Sequence, residues 1–163
     1  MAAGNTYTPI ATTTLGSAAA SYTFSSIPST YTDLVLVFNG QQSASSNIYV
    51  QMNGDTATNY SDTFLYGNGT TAASTRDSTV AQISIGSSGL VNQDTVATSH
   101  FMNYANTTTN KTTITRSNTP AYMTLAYVGL WRSTAAINAL KIFAMTGNLN
   151  AGSTFTLYGI LAA

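Results

Sequence analysis

The sequence predicts an all-β fold, namely an antiparallel β-sandwich of jelly-roll-like type with roughly ten strands. Apolar residues alternate with Ser, Thr and Asn at a period of two, as in strands that bury one face. Turn-forming pairs separate these segments at short spacing, among them Asn39-Gly40, Asn53-Gly54 and Gly147-Asn148. Such pairs are typical of hairpins and favour a sandwich over alternating strands and helices.

The first well-defined strands fall in the first third of the chain. Leu34–Phe38 is apolar on both faces, which indicates a central strand covered on both sides. In Asn47–Asn53 the residues Ile48, Val50 and Met52 share one face, so we expect that face to be buried.

Two further alternating segments are Thr79–Ser84 and Thr112–Ser117. From their parity we expect Ile83, Ile85 and Ile114 to point inward. The Ser/Thr-rich segments 70–78 and 106–111 are expected to be loops, because few apolar residues interrupt them.

The second half contains one more strand that is apolar on both faces, Tyr122–Trp131. A helix is conceivable only in Ala135–Met145, which contains Ala, Leu and Lys. Ile137, Ile142 and Phe143 favour a strand there instead. We expect strands near both ends of the chain and one core, formed by Leu34, Leu36, Phe38, Val50, Ile85, Phe101, Leu125, Leu140, Phe155 and Leu157.

Composition restricts the function. The 163 residues fit a single domain spanning 1–163, in which 6% are charged and the net charge is zero. Nucleic-acid binding requires clustered Lys and Arg, so no nucleic-acid partner is expected. The longest apolar run, Leu34–Phe38, is too short to cross a membrane, and the N-terminus does not resemble a signal peptide. We therefore expect no membrane partner and synthesis in the cytoplasm.

The residues that catalysis needs are sparse. His100 is the single histidine, and Asp94 and Ser99 lie near it in sequence. Neighbouring residues of a strand point to opposite faces, and no Gly-x-Ser-x-Gly motif occurs. We predict no catalytic residue, no cofactor and no enzymatic activity.

Metal ligands are equally sparse, since the chain has no cysteine. The segment Asn53-Gly54-Asp55, followed by Asn59 and Asp62, could offer oxygens to calcium. Asx turns that bond their own backbone explain this cluster more simply, so we predict no metal site.

Aromatic residues offer the remaining candidates for a contact surface. Ten tyrosines and one tryptophan suit either a subunit interface or a platform that stacks on sugars. The candidate contact residues are Trp131, Arg132, Tyr66 and Tyr60. A core tryptophan beside an exposed arginine is the alternative for the first pair.

Seven segments, in this order, resemble tailed-bacteriophage virion proteins of the small β-sandwich type. They are Phe24–Pro28, Tyr31–Val37, Met52–Asp55, Asn59–Ser61, Leu65–Gly69, Leu130–Ser133 and Ala151–Ile160.

That resemblance implies assembly rather than chemistry. It implies a capsid decoration or cement protein in the virion, which binds the major capsid protein and copies of itself as a homotrimer and stabilises the shell. The alternative is a tail or fibre module that binds a host-surface carbohydrate or acts as a tail adaptor. A charge-poor, tyrosine-rich β-protein suits a symmetric oligomer whose strands are covered by neighbours.

Overall fold

The computed structural model describes residues 6–87 and 89–161, and within these ranges the chain forms twelve strands and no α-helix. The strands are β1 (Tyr7–Thr14), β2 (Ser21–Phe24), β3 (Asp33–Gly40), β4 (Asn47–Met52), β5 (Tyr60–Gly67), β6 (Ala72–Val80), β7 (Ile83–Ser87), β8 (Thr95–Met102), β9 (Lys111–Thr119), β10 (Met123–Trp131), β11 (Leu140–Ala144) and β12 (Thr154–Ile160).

The strands form two antiparallel sheets. The long sheet has eight strands in the order β1-β12-β3-β8-β9-β10-β5-β6, and the short sheet has four in the order β2-β11-β4-β7. The chain passes repeatedly from one sheet to the other, as in a jelly-roll-like sandwich. The predicted fold class is thus confirmed, with twelve strands instead of roughly ten. No helix within the described ranges is long and apolar enough to span a membrane.

The core lies between the two sheets, where the inward faces of their strands meet. All ten apolar residues predicted for the core are buried, and none is more than 5% exposed. The predicted central strand lies within β3, which is hydrogen-bonded to β12 on one side and to β8 on the other. In β4 the inward face is formed by Ile48, Val50 and Met52, as predicted.

Strand β9 corrects one parity prediction. Ile114 is 52% exposed, and Thr113, Thr115 and Ser117 point inward instead. The buried hydroxyls of this strand are partly satisfied within the sandwich, since Thr115 Oγ1 donates a 2.8 Å hydrogen bond to Ser99 Oγ. A threonine can take an inward position when its hydroxyl is hydrogen-bonded. The alternation of Ile114 with threonines therefore did not determine which face of β9 is buried.

Two boundaries near β6 were predicted wrongly. The predicted strand Thr79–Ser84 is interrupted after Val80, and β7 begins at Ile83. Most of segment 70–78, predicted as a loop, belongs to β6. This strand is at the edge of the long sheet, and no strand of the short sheet covers it. Its side chains are therefore polar on both faces, which obscures the strand period.

The last third of the chain agrees with its predictions in part. Within the segment Ala135–Met145 no helix forms and Leu140–Ala144 is a strand, as predicted, whereas residues 135–139 are irregular. Tyr122–Trp131 corresponds to β10, but only one of its faces is buried, and Val128 is 58% exposed. Strands β1 and β12 lie near the two ends of the chain, and the residues before 6 and after 161 lie outside the described ranges.

Candidate functional site: an aromatic cleft and an exposed apolar face

Two of the four predicted contact residues are buried in the sandwich. Trp131 is 2% exposed and Tyr60 is fully buried, and their rings stack with centroids 6.2 Å apart. The Tyr60 hydroxyl contacts the backbone of Met52 and Asp55, and burial raises its pKa to about 12. A stacking platform needs an exposed ring face, so these two residues are core residues rather than contact residues.

Arg132 is exposed, but its guanidinium binds the chain's own backbone. Nη1 donates to the carbonyl of Tyr60 at 3.1 Å, and Nη2 donates to the carbonyl of Ser78 at 2.9 Å. The side chain thereby connects the end of β10 to β5 and β6. This geometry indicates a structural role for Arg132, which was predicted from the sequence to be a contact residue.

Tyr66 is the one predicted contact residue that lies in a cleft. Strand β7 is an edge strand of the short sheet, and it packs on β8, β9 and β10 and also contacts β5. Strand β6, in contrast, packs chiefly on its neighbour β5. The inner faces of β5 and β6 therefore extend past the short sheet. The cleft that results, here called the aromatic cleft, has a volume of about 200 Å³.

Aromatic rings dominate this cleft. Phe64 lies 5.2 Å from Tyr127 and 6.2 Å from Tyr66, measured between ring centroids. The register explains the cluster, because Phe64 is opposite Tyr127 and Tyr66 is opposite Leu125 on the same inner face of the paired strands β5 and β10. Tyr66 and Phe64 are half-buried, whereas Tyr127 is 1% exposed and forms part of the wall.

Tyr122 closes the cleft at the β9–β10 turn. Its ring packs directly on Gly89, where an added Cβ would lie 1.9 Å from the Tyr122 ring. Gly89 has a φ of +52°, a conformation that favours glycine. Polar groups come from Asn47, Asn68 and Ser87, and no charged side chain lines this cleft in the part of the chain that the structure describes.

Two buried polar groups near the cleft lack hydrogen-bond partners. The Tyr127 hydroxyl and Asp62 Oδ1 have none among the described residues, although Asp62 Oδ2 accepts a 2.7 Å bond from the backbone N–H of Ser84. Burial raises the pKa of Tyr127, and the negative charge of Asp62 raises it further. Burial also raises the pKa of Asp62, with the charge of Asp77 acting in the same direction against the Ser84 bonds.

A second feature lies on the opposite face of the long sheet. Leu65, Ile114 and Val128 are 61%, 52% and 58% exposed. Ile114 is opposite Val128 on neighbouring strands, and Leu65 is opposite Ala126. These residues form one continuous surface, here called the outer patch, which consists of Leu65, Ile114, Ala126 and Val128.

The residues considered for catalysis do not meet in space. Ser99 is buried and His100 is half-exposed on the opposite face, as predicted from their adjacency. His100 Nε2 lies 3.0 Å from Asp33 Oδ2, an ion pair when the histidine is protonated. Asp94 instead accepts a 2.9 Å bond from Gln41. The three residues thus form no nucleophile–base arrangement.

The acidic residues considered for calcium are also separated. Asp55 Oδ1 accepts a 2.9 Å bond from the N–H of Ala57, and Oδ2 accepts bonds from Asn59 and Trp131. This is the Asx turn expected from the sequence, whereas Asp62 is buried beside Ser84. No group of three or more His, Cys, Asp or Glu residues that could hold a metal ion occurs in residues 6–87 and 89–161.

Comparisons with known proteins give remote structural likenesses. No protein-family model and no curated protein matches the sequence. The chain is similar to exo-inulinase from Aspergillus awamori, with 11% identity and a TM-score of 0.46 over 94% of this chain, which spans 29% of that protein. Galectin LEC-6 from Caenorhabditis elegans has 7% identity and a TM-score of 0.37, covering 93% of this chain and 96% of the galectin. The PL-14 alginate lyase from Aplysia kurodai has 11% identity and a TM-score of 0.31, covering 84% of this chain and 72% of the lyase.

Proposed function

We propose that this chain is a structural protein of a bacteriophage virion that decorates the capsid and stabilises the shell. The outer patch is the observation that carries the proposal. Its side chains are aliphatic and more than half exposed at Leu65, Ile114 and Val128, on a regular sheet face. A soluble protein that functions alone usually covers such a surface with charged residues, so we infer that another subunit covers it in the particle.

The proposed partner is the major capsid protein. The outer patch is aliphatic, but Arg116 is opposite Ala126 and His100 is opposite Ile114 on the same face of the sheet. Such a surface fits a largely apolar surface on a lattice protein that also offers a partner to Arg116, because burying that charge unpaired would be costly. Each contact is modest, but a symmetric shell repeats it at every lattice position.

Copies of the chain itself are the second proposed partner, in a homotrimer. The edge strand β6 is nine residues long, and its side chains are mostly exposed. An edge strand presents unpaired backbone N–H and C=O groups that a neighbouring chain can bond. Arg76 and Asp77 in this strand would restrict which register such pairing can adopt.

The experiment that tests the proposed role is the copy number of this protein in purified particles. Quantitative mass spectrometry against the major capsid protein gives that number directly. A copy number comparable with that of the capsid protein supports decoration, whereas a few copies per particle would place the protein in the tail instead. Particles that lack the protein should lose resistance to heat and to chelators, and unchanged resistance would contradict the stabilising role.

A further inference from the structure

The aromatic cleft has features that the proposed structural role does not require. Its rings are not packed away in the core, since Phe64 and Tyr66 remain half-exposed and Tyr122 is 36% exposed. A side chain whose only task is stability would gain more from full burial. The cleft lies on the inner side of the long sheet, so a subunit that covers the outer patch would leave it open.

The chemistry of the cleft wall defines a narrow class of ligand. Aromatic ring faces bind the C–H faces of a sugar ring, while amide and hydroxyl groups bond its hydroxyls. The polar residues of the lining are Asn47, Asn68 and Ser87. Asn68 Oδ1 already accepts bonds from Thr70 and Thr71, which holds its side chain in place. The described lining is uncharged, so an ionic ligand would find no counter-charge.

Tyr127 contributes its ring, not its hydroxyl, to the cleft. The residue is 1% exposed and lines the cleft, whereas its hydroxyl is enclosed in the protein and is affected by the charge of Asp62. The wall that a ligand meets at this position is therefore an aromatic ring.

We propose that the aromatic cleft binds a neutral saccharide, with Tyr66 and Tyr122 as the stacking residues. The volume of about 200 Å³ is below the range of about 300–1,000 Å³ that encloses a whole drug-sized ligand. The site therefore accepts one sugar unit of a longer glycan and leaves the remainder in solvent. This inference does not depend on where the protein lies in a particle, since it concerns a different face.

A printed array of neutral and acidic glycans, probed with the folded full chain, tests the proposal. The strongest neutral glycan is then titrated into isotope-labelled protein, and amide shift changes are mapped by NMR. We expect changes at β5, at the β9–β10 turn and around Asn47. Because the ligand is neutral, its affinity should be the same at low and high salt.

Three variants separate binding from folding. Replacing Tyr66→Ala or Tyr122→Ala should weaken binding about tenfold, the loss expected for one stacking ring. Tyr7→Ala is the matched control, because Tyr7 is 56% exposed on the far edge of the sheet, and it should bind as the unchanged protein does. Unfolding curves identify any variant that fails to fold. The NMR shift map is recorded on the unchanged chain, so it tests the site even if a variant does not fold.

Three results would overturn the saccharide site. The first is an array without signal for any neutral glycan. The second is binding restricted to acidic glycans and lost in high salt, which would indicate an ionic site elsewhere. The third is a shift map centred on the outer patch and unchanged in Tyr66→Ala. None of these results would affect the copy number, so failure here is distinguishable from failure of the decoration role.

Discussion

The Trp131 indole Nε1 donates a 2.7 Å hydrogen bond to Asp55 Oδ2, which connects the end of β10 to the loop between β4 and β5. The same carboxylate accepts bonds from the side chain of Asn59 and the backbone of Ala57. Burial alone would raise the pKa of Asp55, but these three bonds outweigh it and lower the pKa below the ordinary value. The interaction explains why the only tryptophan lies in the core with its polar edge satisfied.

Replacing Asp55→Ala should destabilise the protein. The variant leaves the Trp131 N–H and the Asn59 amide without their acceptor, and hydrogen bonds to charged groups contribute about 1.5–3 kcal/mol each. Urea unfolding at neutral pH measures the loss. Asp94→Ala is the control, because Asp94 is exposed and, among the described residues, accepts a hydrogen bond from Gln41 alone. A loss no larger than that of the control would contradict the role of Asp55.

The effect of Asp55 should also depend on pH. Its pKa in the folded state lies below the unfolded value of 3.8, so its ionised form is favoured by folding. The resulting stability is present above the unfolded pKa and disappears as the pH falls through the folded pKa. The difference between the unchanged protein and Asp55→Ala should therefore shrink below about pH 4, which repeated unfolding at acid pH would show.

Asp62 should show the opposite behaviour. Burial and the charge of Asp77 raise its pKa above 3.8 in the folded state, so the protonated form is favoured by folding. The contribution of Asp62 to the free energy of unfolding is therefore fully present at acid pH and is lost as the pH rises through the folded pKa. Asp62→Asn retains an acceptor for the Ser84 N–H but carries no charge, so we expect the variant to be more stable than the unchanged protein at pH 7.

Unfolding experiments at several pH values test this prediction. The advantage of Asp62→Asn should increase from acid to neutral pH, whereas Asp94→Asn, in an exposed position, should show little change. If Asp62→Asn is less stable than the unchanged protein by the same amount at every pH, the carboxylate makes a hydrogen bond that an amide cannot make.

The sequence predicted the core well because buried residues here follow strand parity. Val50 and Phe155 alternate with polar neighbours, and a period of two identifies their face without further information. The prediction from strand parity was wrong in β9, because Ile114 is flanked there by threonines, which suit either face. It also could not show that β6 is an edge strand, since that depends on which strands pair in the long sheet.

The candidate site was predicted less completely. Tyrosine content indicated a contact surface, but composition does not distinguish a ring in the core, such as Tyr60, from a half-exposed ring, such as Tyr66. Phe64 and Tyr127 were missed as partners of Tyr66, although the i, i+2 spacing of Phe64 and Tyr66 places both on one strand face. Their contact with Tyr127 depends on the pairing of β5 with β10, which local sequence does not specify.

The outer patch gives a prediction for assembly. Val128→Asp introduces a charge at a 58% exposed position, so the free energy of unfolding should change by no more than about 0.5 kcal/mol. Binding to particles that lack the protein should be lost, because the aspartate would be buried against an apolar partner. Thr12→Asp, at an exposed position of the edge strand β1, is the control and should still bind. Equal binding by both variants would exclude the outer patch as the contact.

Strand β7 of the short sheet packs closely on Gly129 in β10 of the long sheet. A Cβ added there would lie 2.5 Å from Thr113 Oγ1 and 2.6 Å from Ile83 Cγ2, and both neighbours are fully buried. Gly129→Ala should therefore cost about 1–3 kcal/mol, as overpacking does in a filled core. Gly67→Ala, in the neighbouring strand β5, meets no atom within 4 Å and should be neutral or slightly stabilising. Chemical unfolding of both variants measures the difference, and equal stability would mean that β7 can move away from β10 at little cost.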